Sequence, residues 1–225
     1  MIYYIIEKHI YHCLYSHKLR LFLRFKMHFK MKLFLFSLIT LLLIASCKKA
    51  GCTDYDALNY DPEAKVDDNT CYYFWIGQNY QGGKIFYIDR SKKHGMISAE
   101  FDLENTEWGC SNDSVLSPGI NDTQVGKGSS NSQIIADECG YETAAGKCLL
   151  LDTLGYDDWY LPTMEEMRGL SENLGRLGQA NLSSDYYLTS SQYSQSKCWL
   201  VLNANRSPAI LSKGVKRSVR PVRSF

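Results

Sequence analysis

Asp157-Asp158-Trp159-Tyr160-Leu161-Pro162-Thr163-Met164-Glu165-Glu166 joins an aromatic turn to a helix start, and the rest of the fold can be read outward from it. Pro162 breaks the extended run, and Thr163 with Glu166 three residues later forms a capping box. In that motif the threonine hydroxyl accepts from the Glu166 N–H while the glutamate side chain reaches back to the Thr163 N–H. Met167, Leu170, Leu174 and Leu177 then recur at helical spacing and give the helix one apolar face. Upstream, Ser130-Asn131-Ser132-Gln133 reads as the cap of a helix through Ile134, Ile135 and Ala136, and Thr143–Asp152 as a second helix.

Strand-like segments lie on both sides of these helices. Gly82-Gly83 is a turn before Lys84–Asp89, which is mostly β-branched and aromatic, and Met96–Glu100 follows the turn Ser91–Gly95. Tyr186–Ser190, Trp199–Asn203, Ala209–Leu211 and Val215–Val222 close the chain. Strands, then helices, then strands predict an α+β domain over 72–225, with an antiparallel sheet and two or three helices. The polar run 105–130 is too long to be idle unless stapled or functional, and Cys110 within it predicts a staple.

The first 46 residues read as a secretory signal. A basic stretch, Lys18–Lys32, precedes the apolar run Leu33–Ile44 and the small residues Ala45-Ser46 before Cys47. The apolar run is shorter than the roughly 20 residues a membrane-spanning helix needs. Met31-Lys32 reads as the natural start, which makes 1–30 either an over-extended start or a long basic region. Ile44-Ala45-Ser46-Cys47 resembles a bacterial lipobox, in which Cys47 is acylated (palmitate included) and becomes the mature N-terminus. That resemblance implies a bacterial envelope lipoprotein of the outer membrane, facing the periplasm or the surface, with 47–51 as a lipidated tether.

The 225 residues carry 25 Lys+Arg and 24 Asp+Glu, a balance that argues against a nucleic-acid binder. Residues 1–46 hold seven of the basic residues, one acid and four of the five histidines, so 47–225 has net charge −5 and only His94. A multi-histidine zinc site is therefore excluded there, and any Cys-His or Ser-His pair would have to use His94. His94 sits beside Gly95 in a turn and reads as structural. Glu165 and Glu166 are helix-start residues that the helix dipole favours without any catalytic role.

Besides Cys13 and Cys47 the chain has Cys52, Cys71, Cys110, Cys139, Cys148 and Cys198. Six cysteines in an exported chain predict three disulfides from 15 pairings. Cys52–Cys71 is the expected pair around one short segment. Cys110–Cys139 and Cys148–Cys198 are favoured for the rest, with Cys139–Cys148 as the rival. The segment 52–71 resembles a small disulfide-closed module of Gram-negative surface proteins, through Cys52-Thr-Asp, Asn59-Tyr-Asp-Pro, Ala64, Val66-Asp-Asp and Cys71. Its Asp54, Asp56, Asp61, Asp67 and Asp68 have spacings able to wrap calcium. An EF-hand is ruled out by the missing central glycine and closing glutamate, and a solvated acidic loop is the alternative.

From residue 82 on, the chain resembles the bacterial Lcl C-terminal-domain family of collagen-like adhesins and surface lipoproteins. The match runs in order through Gly82-Gly83-x-Ile85-Phe-Tyr, His94-Gly95, Trp108-Gly109-Cys110, Gly126-x-Gly128, Asn131 and Ile134. It continues through Ala144-Ala145-x-x-Cys148, Gly155-Tyr-Asp-Asp-Trp159-Tyr-Leu-Pro-Thr163, Glu166, Tyr187-x-Thr-Ser-Ser191, Trp199 and Arg220-Pro-Val-Arg223-Ser-Phe225. The resemblance implies a C-type-lectin-like fold with the closing arginines on the terminal strand. It also implies non-enzymatic, adhesin-like binding of a glycan or of an envelope or host protein, in a family with homo-oligomeric adhesins. The Glu-Pro-Asn, Gln-Pro-Asp and Trp-Asn-Asp signatures of calcium-dependent sugar binding are absent, and Cys198 replaces the small residue expected before the tryptophan.

From Tyr186 onward there is no acid, while Lys197, Arg206, Lys213, Lys216, Arg217, Arg220 and Arg223 contribute +7. This asymmetry points to Lys213, Lys216, Arg217, Arg220 and Tyr186, with the loop 111–130, as ligand contacts. The competing expectation is that Arg220 and Arg223 pair with interior acids such as Glu166. Trp159, Leu161, Pro162 and Trp199 are expected to pack in the core, and one of Tyr186 and Tyr187 to face it. Two other functions are carried forward. One is a structural or assembly lipoprotein that binds no sugar. The other is an oxidase of the formylglycine-generating kind, which needs Cys139 or Cys148 unpaired.

Overall fold

The computed structural model describes residues 48–110, 121–183 and 186–225; the signal region and Cys47 lie outside them. The described residues cluster into two compact units, one of 48–55 with 59–71 and one of Asp56–Leu58 with 72–225.

In the smaller unit, β1 (Ala50–Gly51) pairs in parallel with β2 (Val66–Asp67), and the Cys52–Cys71 disulfide closes the segment. Asp61 faces Lys49 at 2.8 Å, and that ammonium holds its carboxyl below the usual range. Asp67 accepts from the Asn69 N–H and Asp68 from Thr70, while Asp56 goes with the larger unit and pairs with Lys92 at 2.6 Å. Among the described residues no three His, Cys, Asp or Glu side chains converge as metal ligands. Of the expected calcium ligands Asp54, Asp56, Asp61, Asp67 and Asp68, Asp56 and Asp61 are thus engaged by lysines, and Asp67 and Asp68 by backbone and hydroxyl groups of the turn that follows them.

The larger unit is α+β. In chain order its described elements are β3 (Asn79–Tyr80), β4 (Gly83–Ile88), β5 (Gly95–Ser98), β6 (Leu103–Thr106), α1 (Gly128–Cys139), α2 (Ala144–Leu149), α3 (Met164–Arg176), β7 (Tyr186–Ser194), β8 (Lys197–Leu202), β9 (Pro208–Ser212), β10 (Arg217–Val219) and β11 (Val222–Ser224). Two sheets result, one in the order β11-β5-β4-β3 and one in the order β6-β10-β7-β8-β9. Every described pairing in them is antiparallel except β10 with β7. The expected strand 215–222 is thus divided between two sheets. Pro221 has no N–H to continue a ladder, and at Arg220-Pro221 the chain crosses from one sheet to the other.

Trp159-Tyr160-Leu161 sends one side chain into each of three core clusters. Trp159 packs with Ile85, Ile97 and Ala99, Tyr160 with Phe86, Met167 and Leu170, and Leu161 with Trp108, Leu188 and Leu200. Its backbone joins both sheets: Tyr160 exchanges hydrogen bonds with Val222 at 2.8 and 3.0 Å, and the Ser190 N–H donates to the Pro162 carbonyl at 2.7 Å.

The capping box at α3 is formed, with the Glu166 N–H donating to Thr163 Oγ1 and the Thr163 N–H to Glu166 Oε2. Met167, Leu170 and Leu174 are buried, whereas Leu177 lies past the helix end and is exposed. Glu166 does more than cap its own helix. Its Oε1 accepts from the N–H groups of Gly126 at 2.7 Å and Gly128 at 3.4 Å, so one buried carboxylate serves the starts of both α1 and α3. Burial pushes the Glu166 carboxyl up, and the backbone donors of Thr163, Gly126 and Gly128 oppose that shift. The cap expected at Ser130–Gln133 is corrected: α1 begins two residues earlier, and Ser130 Oγ instead donates to the Lys127 carbonyl. Helix α2, read as Thr143–Asp152, has Thr143 as its cap rather than its first turn and stops at Leu149.

The Cys110–Cys139 disulfide is present, but the third expected disulfide is not. Cys148 on α2 and Cys198 on β8 are free thiols buried in the cluster around Trp108, where each packs as a small apolar side chain.

Replacing Glu166 by glutamine would turn an amide N–H toward backbone donors that now reach a carboxylate oxygen. Glu166→Gln is expected to lower the unfolding free energy by about 2–3 kcal/mol, the cost of leaving buried donors unsatisfied. Urea denaturation with an unchanged midpoint would contradict this assignment.

Candidate recognition face

The basic segment behaves differently from its sequence reading. Arg220 is fully buried: its Nε donates to Asp102 at 2.6 Å, and its other nitrogens donate to the carbonyls of Ala99, Ala180 and Asn181 at 2.7–3.1 Å. Asp102 also accepts from the Tyr187 hydroxyl at 2.7 Å. Arg223 forms a bidentate pair with Asp158 at 2.6 and 2.9 Å, donates to Gln81, and lies 4.1 Å from the Tyr156 ring. Both arginines therefore pair with acids, but with Asp102 and Asp158 rather than Glu166.

Lys213 is also buried. Its Nζ donates to Gln192 Oε1 at 2.6 Å and sits 4.4 Å from the Trp108 ring centroid. Burial pushes its ammonium below the usual lysine range. As surface contacts, Lys213 and Arg220 are corrected: both hold the interior. Lys216 is exposed and Arg217 half-buried. Tyr186 packs partly against the Trp108 cluster, and Tyr187 is the one that faces the core. Of the loop 111–130, residues 111–120 lie outside the described residues. The following residues are tied to β7, with Gln192 donating to Asn121 and Ser191 to the Asp122 carbonyl.

Beside the exposed Lys197 and Lys216, the C-terminal strands present aromatic side chains to solvent. Trp199 is half-buried, and its ring meets Tyr193 edge-on at a centroid distance of 5.1 Å. Ile210, paired with Trp199 across β8 and β9, is 41% exposed, and Tyr193 is 49% exposed. Side chains two apart on a strand share a face. Lys197, Trp199 and Val201 therefore project together; Val201 belongs to the cluster of Met167, Leu170 and Leu174 on α3, Trp199 is half-buried and Lys197 is exposed. The expectation that Trp199 packs in the core is corrected on this geometry. The alternation of β8 carried the signal, because Trp199 shares a face with the exposed Lys197 and not with the buried Cys198 and Leu200. Tyr193 was missed because strand β7 runs four residues past Ser190 through a bulged region.

The two free thiols suit the core better than chemistry. Burial pushes Cys148 well above the usual thiol range and Cys198 up to about 12, so neither presents a thiolate near neutrality. Among the described residues no helix is long and apolar enough to cross a membrane. No protein-family model and no curated protein matches the chain.

Peptide mapping should find the links Cys52–Cys71 and Cys110–Cys139, with Cys148 and Cys198 alkylated without reductant only after denaturation. Modification of either in the native protein would mean that the cluster around Trp108 is open. Lys213→Ala is expected to cost about 1–3 kcal/mol of stability by orphaning Gln192, against no measurable change for Lys216→Ala. Equal thermal midpoints for the two variants would place Lys213 on the surface after all.

Proposed function

We propose that this chain is a lipid-anchored bacterial envelope protein whose C-terminal domain is C-type-lectin-like and recognises a glycan without catalysing a reaction. The observation that carries the reading is the apolar ledge that Tyr193 on β7, Trp199 on β8 and Ile210 on β9 form across three adjacent strands. The electron-rich face of an aromatic ring attracts the weakly positive C–H face of a pyranose, and a rigid ring loses little entropy on contact. The lectin-like reading draws support from the sheet in which the unit's earliest strands, β3 and β4, lie with the last, β11. Phe225 seals that junction against Phe74 and Tyr80 at centroid distances of 4.9 and 5.1 Å. The anchor rests on the lipobox-like Ile44–Cys47, and the family resemblance on the motifs of 82–225.

Binding rather than redox chemistry is supported by the buried, protonated state of both free thiols. Calcium-independent binding draws support from the missing lectin signatures in the sequence.

The test is a glycan array probed with the full-length protein in detergent micelles, with calcium and with chelator. Binding should be indifferent to chelator. It should fall roughly tenfold or more in Tyr193→Ala and Trp199→Ala, the loss typical of a central aromatic anchor. Tyr193→Ala is the cleaner variant, since its ring is half exposed and its removal should leave the thermal midpoint unchanged. Silence across the array, or binding that survives both substitutions, would overturn the ledge as a sugar platform.

A further inference from the structure

A second feature of the β8–β9 hairpin is a cleft at its turn. It has a volume of about 310 Å³ and runs between the C-terminal half of α3, the segment 178–182 and residues 203–206. That volume is at the lower end of the roughly 300–1,000 Å³ of small-molecule sites, enough for one sugar ring rather than a chain.

Its polar groups are few and directed. Arg206 is half-buried; its Nε donates to the Ser171 carbonyl at 3.4 Å, and its two terminal nitrogens have no partner among the described residues. A guanidinium held by its Nε presents the remaining N–H groups as a fork that matches a planar carboxylate. Asn203 gives an N–H to the Ser183 carbonyl at 2.5 Å, which leaves its Oδ1 as an acceptor. Asn181 adds an amide on the same wall. Ser171 Oγ is buried and has no hydrogen-bond partner among the described residues. Ala180, Leu182 and Ala204 provide apolar surface, and no acidic side chain lines the cleft among the described residues.

The backbone is also unusual here. Arg206 has φ 62° and Asn181 φ 50°, the left-handed region that a side chain such as arginine seldom occupies. Such strain persists where surrounding structure holds it, and it concentrates at ligand sites. The Arg206 N–H donates to the Leu202 carbonyl at 2.8 Å and the Leu202 N–H to the Ser207 carbonyl at 3.0 Å, so the turn that carries the guanidinium is closed on both sides.

We propose that this cleft binds a carboxylate-bearing sugar, a uronic acid residue, with the Arg206 fork on the carboxylate and the Asn203 and Asn181 amides on ring hydroxyls. The proposal rests on the glycan reading above and narrows it to a ligand class. A neutral sugar would leave the Arg206 fork facing water. A bare carboxylate would leave the asparagines unused.

The test is side-chain and backbone NMR of the full-length protein in detergent micelles, titrated with methyl β-D-glucuronide, methyl β-D-glucoside or acetate. Glucuronide should shift the Arg206 Nε–H and the Asn181 and Asn203 side-chain amides, and bind at least tenfold more tightly than either of the other probes. Arg206→Gly should abolish that preference while keeping the fold, because glycine takes φ 62° without strain. Arg206→Lys should retain charge yet weaken glucuronide binding several-fold through loss of the fork. Equal affinity for glucuronide and glucoside would overturn carboxylate recognition, and equal affinity for acetate would overturn sugar recognition in the cleft. Absence of all three sets of shifts, with array binding that still depends on Tyr193, would overturn the cleft alone. Silence in both experiments would overturn the glycan reading with it.

Discussion

Three consecutive side chains, Trp159, Tyr160 and Leu161, enter three separate clusters of the core, and their backbone is hydrogen-bonded to strands of both sheets. No element of regular structure could do this. A helix would send successive side chains 100° apart around a narrow rod, and a strand inside one sheet would alternate between only two faces. An extended segment wedged between sheets can. Burying each of these side chains contributes roughly 1.5–3 kcal/mol or more. Ser132 on α1 then fixes the depth of the wedge: its hydroxyl accepts from the Leu161 N–H at 2.9 Å and lies 3.2 Å from the Leu161 carbonyl, to which it donates. Pro162 and the α3 cap follow directly, so placing the wedge also sets where the longest helix begins.

The interior charges follow the same logic. Glu166, Arg220 and Arg223 are buried, and each is met mainly by backbone groups or by one acid placed to receive it. A buried ion tolerates the loss of water only when its hydrogen-bonding capacity is filled. Arg220 meets this by gathering carbonyls from Ala99, Ala180 and Asn181, which ties the end of β5 to the segment after α3. Gly128 shows how tight the fit is. A Cβ there would lie 2.3 Å from Glu166 Oε2 and 2.6 Å from the Tyr160 ring, so only glycine lets the carboxylate reach the start of α1.

These contacts explain which parts of the molecule could be read from sequence. The capping box at Thr163 and Glu166 was legible because its two partners are three residues apart. The strands around Ile85, Ile97, Leu188 and Leu200 were legible from their apolar, β-branched and aromatic content, and Cys110–Cys139 from a polar loop in need of a staple. What could not be read was set by distant partners. The cap of α1 is 38 residues away from Gly128, and the acid that pairs with Arg220 is 118 residues before it. Composition could count seven positive charges after Tyr186, but not separate Lys216 in water from Lys213 under Trp108. For Cys148 and Cys198, an even count of cysteines argued for a third disulfide, and the core simply uses both as apolar filler.

With Arg220, Arg223 and Lys213 turned inward, the surface left by the C-terminal segment carries the aromatic pair Tyr193 and Trp199 and the Asn203 amide beside the remaining cations Lys197, Arg206, Lys216 and Arg217. The Trp199 ledge and the Arg206 cleft lie on one hairpin, with Trp199 three residues, or about 10 Å, from Leu202 where the turn closes. Strand β8 is fixed on both sides, by β7 and by β9, and its alternate face fills the cluster around Trp108. A ligand that spans ledge and cleft therefore meets groups already held in place, and ordering costs that commonly consume binding energy fall on the ligand alone. That arrangement suits the recognition proposed above: Lys213, Arg220 and Arg223 are held inside as scaffold, and the frame they build carries Tyr193, Trp199, Asn203 and Arg206 at its edge, within reach of a ligand.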